Sequence, residues 1–134
     1  RKRFEIEYKP IFEKYGMGTT TWSPLASGAL TGKYLEGIPE GSRASLEGYE
    51  WLKKSMVESE RGQERMTKVA ALAPIAEEME VKLSNLAIAW CLLNENVSTV
   101  ILGASKVEQL EENLKSIEVL PLLNQEVINK LSSI

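Results

Sequence analysis

Val97-Ser98-Thr99-Val100-Ile101-Leu102-Gly103-Ala104-Ser105-Lys106-Val107-Glu108 decides how this chain is organised. The stretch Val97 to Leu102 is β-branched and apolar, bounded by a glycine, and reads as a buried strand. Ser105-Lys106-Val107-Glu108 then has the form of a capping box, with serine at the N-cap and glutamate three residues on. The helix it opens places Val107, Leu110, Leu114 and Ile117 on one stripe, with Glu111 and Lys115 as an i,i+4 ion pair. A strand that runs almost directly into a capped helix is half of a βαβ unit.

Working outward, a second stretch of the same kind lies upstream. Gly18-Thr19-Thr20-Thr21-Trp22 is short, β-branched and aromatic, with Gly16 before it and Pro24 after it, and it too reads as a strand. Ahead of it, Phe4, Tyr8, Ile11, Phe12 and Tyr15 have helical spacing that ends at Gly16, with Pro10 delaying the regular part to about Tyr8. A long connection follows, from Ser23 to about Ser59. Leu35, Tyr49, Trp51 and Leu52 predict that it is ordered, with a short helix near Glu47 to Met56. Met66 to Met79 is amphipathic despite Pro74. Ser84 is the expected N-cap of a helix Leu86 to Leu93, apolar nearly all round and so buried. After Pro121, Asn124 caps a last helix through Leu131.

Strands alternating with helices imply an α/β fold with parallel pairing. Two strands with the look of burial on both faces are too few to close a sheet, and a two-stranded parallel sheet leaves both edges open. Residues 1–134 are therefore expected to form a single partial domain of a larger sheet. The absence of an initiator methionine fits that expectation.

Composition narrows the function. The 134 residues are 43% hydrophobic and 26% charged, with net charge -3, in the ordinary globular range. The acidic balance argues against nucleic acid, and the basic cluster Arg1, Lys2, Arg3 reads as a solvated terminus. No apolar run approaches the roughly 18–20 residues that span a bilayer, and no signal pattern is present, so no direct membrane insertion is expected. The single cysteine, Cys91, cannot form an internal disulfide and falls in the apolar Leu86–Leu93 helix, where it and Trp90 read as core. A cytosolic compartment is the default. Histidine is absent, which removes imidazole-based triads and the usual catalytic zinc sets; no metal site is expected.

Working residues of α/β barrels sit just past the carboxyl ends of the strands, and both such positions here are distinctive. The first strand ends in Trp22-Ser23-Pro24-Leu25-Ala26-Ser27-Gly28, an aromatic ring able to stack on a flat heterocycle, followed by small residues whose N–H groups can approach an oxyanion. The second runs through Gly103-Ala104-Ser105 into a helix N-terminus, with Gln109, Glu112 and Asn113 spaced to share a face with Ser105. Lys33 and Arg43 in the long connection suit a phosphate clamp. Taken singly, each reads as well as a buried tryptophan before an ordinary turn, a capped surface helix, or solvated loop charges.

Together these segments resemble the aldo-keto reductase superfamily, and within it the β-subunits of voltage-gated potassium channels. The resemblance is carried by Trp22–Gly28, Thr31-Gly32-Lys33-Tyr34, Ser42-Arg43-Ala44-Ser45-Leu46, Leu86-Ala87-Ile88-Ala89-Trp90-Cys91-Leu92, and Leu102–Ser105 with Gln109, Glu112 and Asn113. It implies the C-terminal portion of a (β/α)8 TIM barrel and an NADPH (NADP) site. Trp22 would flank the nicotinamide. Ser23, Pro24, Leu25, Ala26, Ser27 and Lys33 would line the pyrophosphate. Gly103, Ser105 and Arg43 would surround the ribose phosphate, and Gln109, Glu112 and Asn113 the adenosine. Many family members carry arginine where Gln109 stands, so the 2′-phosphate preference would rest on Arg43 and Ser105. The family's proton-donating tyrosine and its Lys, Asp and His helpers have no counterpart here. Tyr8, Tyr15, Tyr34 and Tyr49 fall outside the motif, and no catalytic residue is assigned. The resemblance implies carbonyl reduction by the complete protein. It equally implies a regulatory channel subunit, tetrameric by resemblance, bound to the cytoplasmic domain of a channel and so to the membrane, with NADPH as redox sensor. A non-catalytic fragment is the third reading.

Overall fold

The computed structural model describes residues 2–134; Arg1, the first member of the terminal basic cluster, lies outside the described residues. A π-helical turn at Arg3–Glu7 leads into α1 (Lys9–Tyr15), whose start carries Pro10 where a missing N–H does no harm, and whose end is Gly16 at φ 60°. Strand β1 (Thr19–Trp22) follows. The connection after it contains 3-10 turns at Ala26–Thr31 and Arg43–Ser45, then α2 (Glu50–Lys53) and a π-turn at Lys54–Glu58. Helix α3 (Glu60–Glu78) is capped by Ser59, whose hydroxyl accepts from the Gly62 N–H at 3.1 Å, and it runs through Pro74. Next come α4 (Leu83–Leu92), β2 (Val97–Ile101), α5 (Val107–Leu114), α6 (Ser116–Val119) and α7 (Gln125–Ser132). The expected Asn124 cap is present, its Oδ1 accepting from the Val127 N–H at 3.0 Å.

Two apolar clusters hold these elements. Ala29, Tyr34, Ala44, Leu52, Met56 and Val69 join the long connection to the first half of α3. The connection packs as expected, but of the four residues that predicted it only Leu52 is buried, Leu35, Tyr49 and Trp51 being exposed. Ala76, Leu86, Ala89, Val119 and Leu123 join the second half of α3 to α4 and the C-terminal region. Gly62 is what lets α3 approach the Lys54–Glu58 turn, since a Cβ there would sit 2.7 Å from the Met56 carbonyl carbon.

β1 and β2 pair in parallel, with Thr19 opposite Val97 and Trp22 opposite Ile101. A bulge interrupts the ladder between Thr19 and Thr20, where Ser98 is the extra residue. Any side chain on Gly18 would run into the Ser98 hydroxyl.

Four local expectations are corrected, and the apolar stripe of α5 is located. The strands are not buried on both faces: Thr20, Trp22, Ser98, Thr99 and Ile101 are exposed. Ser84 is not a cap, because the backbone is already helical there and Lys82, extended at φ -72°, ψ 142°, is the N-cap of α4. Ser105 does not form a capping box with Glu108; Lys106 is the N-cap of α5 and makes no side-chain cap bond. Val107, Leu110, Leu114 and Ile117 are exposed, because α5 turns Asn113 and the adjoining Ser116 inward. Lys115 pairs with Glu112 at 3.2 Å and not with Glu111.

Candidate functional site

Because β1 and β2 are parallel neighbours, both chains leave the sheet at the same end, from strands separated by roughly 4.8 Å. Trp22 stands at one tip, 77% exposed, against Ile101 at the other. A large aromatic left in solvent at a strand end is available for stacking.

The backbone after Trp22 is strained in one place. Of the non-glycine residues with positive φ, Ser23 (54°), Ala26 (46°) and Ser27 (59°) all lie here, followed by Gly28 at 97°. Such conformations persist where surrounding structure dictates them and gather at ligand sites. Leu25 at φ -97°, ψ 7° precedes Ala26 at φ 46°, so the chain reverses sharply within this turn. The turn is fixed by the Ala26 N–H donating to the Ser23 carbonyl at 3.0 Å and the Gly28 N–H to the Leu25 carbonyl at 2.9 Å.

Lys33 is folded back onto this turn. A Cβ on Gly28 would lie 2.7 Å from Lys33 Cε and 2.9 Å from Nζ, so the ammonium occupies the space that glycine leaves. The same Nζ sits 5.0 Å from the centroid of the Tyr34 ring, a cation–π contact. Lys33 and Tyr34 therefore stack and do not form a hydrogen-bonded acid pair. Arg43 is exposed at the start of its 3-10 turn, next to buried Ser42 and Ala44.

At the second tip, Gly103, Ala104 and Ser105 are exposed, and Gly103 faces open space. Gln109 reaches back so that its Oε1 accepts from both the Ser105 N–H at 2.9 Å and the Ser105 hydroxyl at 3.1 Å. These two residues act as a unit. Glu112 is engaged otherwise: its carboxylate takes hydrogen bonds from Lys82 at 2.8 Å and Lys115 at 3.2 Å, which hold its pKa below the usual carboxylate value. Asn113 is buried. Gln109, Glu112 and Asn113 thus do not present one common exposed face with Ser105.

Asn85 positions this helix. Buried in α4, it donates from Nδ2 to the Glu112 carbonyl at 2.7 Å and to Ser116 Oγ at 3.4 Å. Sequence reasoning passed over it, although one amide in an otherwise apolar helix is the kind of signal that marks a buried polar anchor. Cys91 lines an apolar cavity of about 270 Å³ with Pro24, Leu30, Leu72, Leu86 and Trp90. Burial raises its thiol pKa, which makes it a poor nucleophile.

Among the described residues, no group of three His, Cys, Asp or Glu side chains could hold a metal ion. No helix among them is long and apolar enough to cross a membrane.

A family model described as "Aldo/keto reductase family" matches residues 1–134. A rice protein (Oryza sativa subsp. japonica) described as "Probable voltage-gated potassium channel subunit beta" is 49% identical over 136 aligned positions covering the whole chain. The chain spans 40% of that relative's length.

Proposed function

The chain belongs to the aldo/keto reductase family, and from that premise we propose that it is the NADPH-holding C-terminal portion of a (β/α)8 barrel. Residues 1–134 form one partial domain in this reading. The observation that supports it most is the parallel register of β1 and β2, which pairs Trp22 with Ile101, so that the Ser23–Gly28 turn and the Gly103–Ser105 segment both start from the same end of the sheet. Both tips serve one dinucleotide.

The residues fit the group. Trp22 offers an exposed ring for the nicotinamide. Ser23, Pro24, Leu25, Ala26 and Ser27 make a turn with three residues at positive φ and the Lys33 ammonium folded onto it at Gly28, a cation placed to meet a pyrophosphate. Gly103 leaves open approach, and Ser105 and the Arg43 guanidinium supply donors for a ribose phosphate. Gln109 is exposed and Glu112 partly so, accessible to an adenosine, whereas Asn113 is buried on the inward side of α5. The cofactor, when bound, supplies hydride for reduction of an aldehyde or ketone. The residues of this chain bind and orient it, and the proton donor comes from outside them.

A second reading is favoured by the 49% identity to a protein described as a channel β-subunit. In it the chain is part of a tetrameric regulatory subunit on the cytoplasmic face of a voltage-gated potassium channel, with NADPH as redox sensor. Titration of NADPH and NADH into the chain completed to full barrel length, followed by nucleotide fluorescence, tests the nucleotide reading; saturable binding that prefers NADPH supports it, and no binding of either refutes it. Co-purification with a channel's cytoplasmic domain tests the second reading separately.

A further inference from the structure

Among the described residues, the buried side-chain polar atoms without a hydrogen-bond partner are Thr21 Oγ1, Tyr34 Oη and Ser42 Oγ. Each stands one residue from a candidate nucleotide contact: Thr21 beside Trp22, Tyr34 beside Lys33, Ser42 beside Arg43. A buried hydroxyl with its bond unmade destabilises the fold, so folded chains rarely retain one. All three lie in the segment that carries the proposed site, and each hydroxyl has hydrogen-bonding capacity to offer there.

Tyr34 has the geometry to say which contacts. It is 2% exposed, among the largest fully buried side chains, and seated between Ala29, Ala44 and Met56. Its Cε2, the ring carbon next to the hydroxyl-bearing one, would be 3.4 Å from a Cβ on Gly28. The face of the same ring carries the Lys33 ammonium. One buried phenol therefore lies next to Gly28 of the left-handed turn and under the cation folded onto it. The turn holds Ala26 and Ser27 at positive φ, wells from which a small rotation re-aims a peptide group.

We propose that Tyr34 is a positioning residue for the oxyanion turn: when a dinucleotide pyrophosphate occupies the turn, the Tyr34 hydroxyl bonds the 26–28 backbone and locks it. This rests on the nucleotide reading above. The phenol touches no nucleotide atom itself; it fixes the peptides that do.

The test compares wild type with Tyr34→Phe, in this chain and in a chimera where the chain replaces the matching 40% of the rice relative. Without ligand, Y34F should unfold at the same temperature as wild type or higher, because the deleted hydroxyl makes no bond. Its NADPH affinity should fall about fivefold to tenfold, with faster release, the size of one neutral hydrogen bond. In tyrosine-labelled wild type, a slowly exchanging Tyr34 hydroxyl proton should appear on saturation with NADPH. If wild type binds NADPH and Y34F binds it equally well, the Tyr34 role is wrong and the nucleotide reading stands. If wild type binds none, both fall. A Y34F protein that fails to fold also overturns the proposal, since it would show the hydroxyl already bonded without ligand.

Discussion

Trp22 and Ile101 face each other as register partners at the carboxyl ends of two parallel strands, and the elements that follow them diverge from adjacent points. The Ser23–Gly28 turn and the Gly103–Ser105 approach to α5 therefore begin from paired strand ends on the same side of the sheet. This relationship makes a shared ligand the economical explanation for two unusual strand ends.

Trp22 is exposed, so its removal should leave the fold alone and weaken the ligand. Trp22→Ala is expected to shift the unfolding free energy by no more than about 0.5 kcal/mol. NADPH affinity should fall about threefold to tenfold, the range of one aromatic stacking contact. Thermal unfolding and nucleotide titration of the same samples separate the two effects.

Gln109 holds the position where cofactor preference can be tuned. Its Oε1 takes both donors of Ser105, so a carbonyl oxygen, not a cation, faces that tip. Gln109→Arg should raise the preference for NADPH over NADH about tenfold or more, a charge-assisted bond replacing a neutral acceptor. Arg43→Gln should lower NADPH affinity and leave NADH unchanged. Comparative titrations with both nucleotides read the outcome.

Gly62→Ala should destabilise the chain although alanine is the better helix former. The helical gain is about 1 kcal/mol, but the new Cβ would lie 2.7 Å from the Met56 carbonyl carbon and 2.8 Å from its oxygen. Backbone must move, an overpacking of about 1–3 kcal/mol. A net loss of about 1–2 kcal/mol in denaturant unfolding is expected, from the upper part of that range.

Glu112 ties α5 to the start of α4 through Lys82, and to its own helix through Lys115. Its folded-state pKa is depressed, so the carboxylate contributes stability above its unfolded value of about 4.3, and that contribution disappears as pH falls through the folded value. Glu112→Gln should thus be less stable than wild type at neutral pH and equal to it in acid below the depressed value. High salt should shrink the difference, because the lysines are exposed. Urea unfolding across pH at two ionic strengths checks the sign and the window.

The two strands, the ordered connection, α3 and the Asn124 cap were legible in the sequence because each rests on a local signal: β-branched runs, aromatic spacing, helical period, an N-cap residue. What local pattern missed was set by distant or competing partners. The Ser105–Glu108 spacing has the form of a capping box, but the Gln109 amide captured both Ser105 donors and helix α5 started one residue later. Glu112 looked free for adenosine, and the lysine that engages it stands thirty positions upstream. The apolar stripe on α5 was legible as a stripe, and it faces solvent. The inward side carries buried Asn113 and Ser116, and Asn85 donates to the Glu112 carbonyl and to Ser116 Oγ. Tyr34 gave no sign in sequence of being a buried hydroxyl without a bond.

Amide hydrogen exchange during NADPH titration addresses the pairing of the two strand tips most directly. Amides of residues 23–28 and 103–109 should gain protection together, along one saturation curve, with β1 and β2 themselves unchanged. Protection confined to one tip, or two curves with different midpoints, would contradict a single dinucleotide held across both.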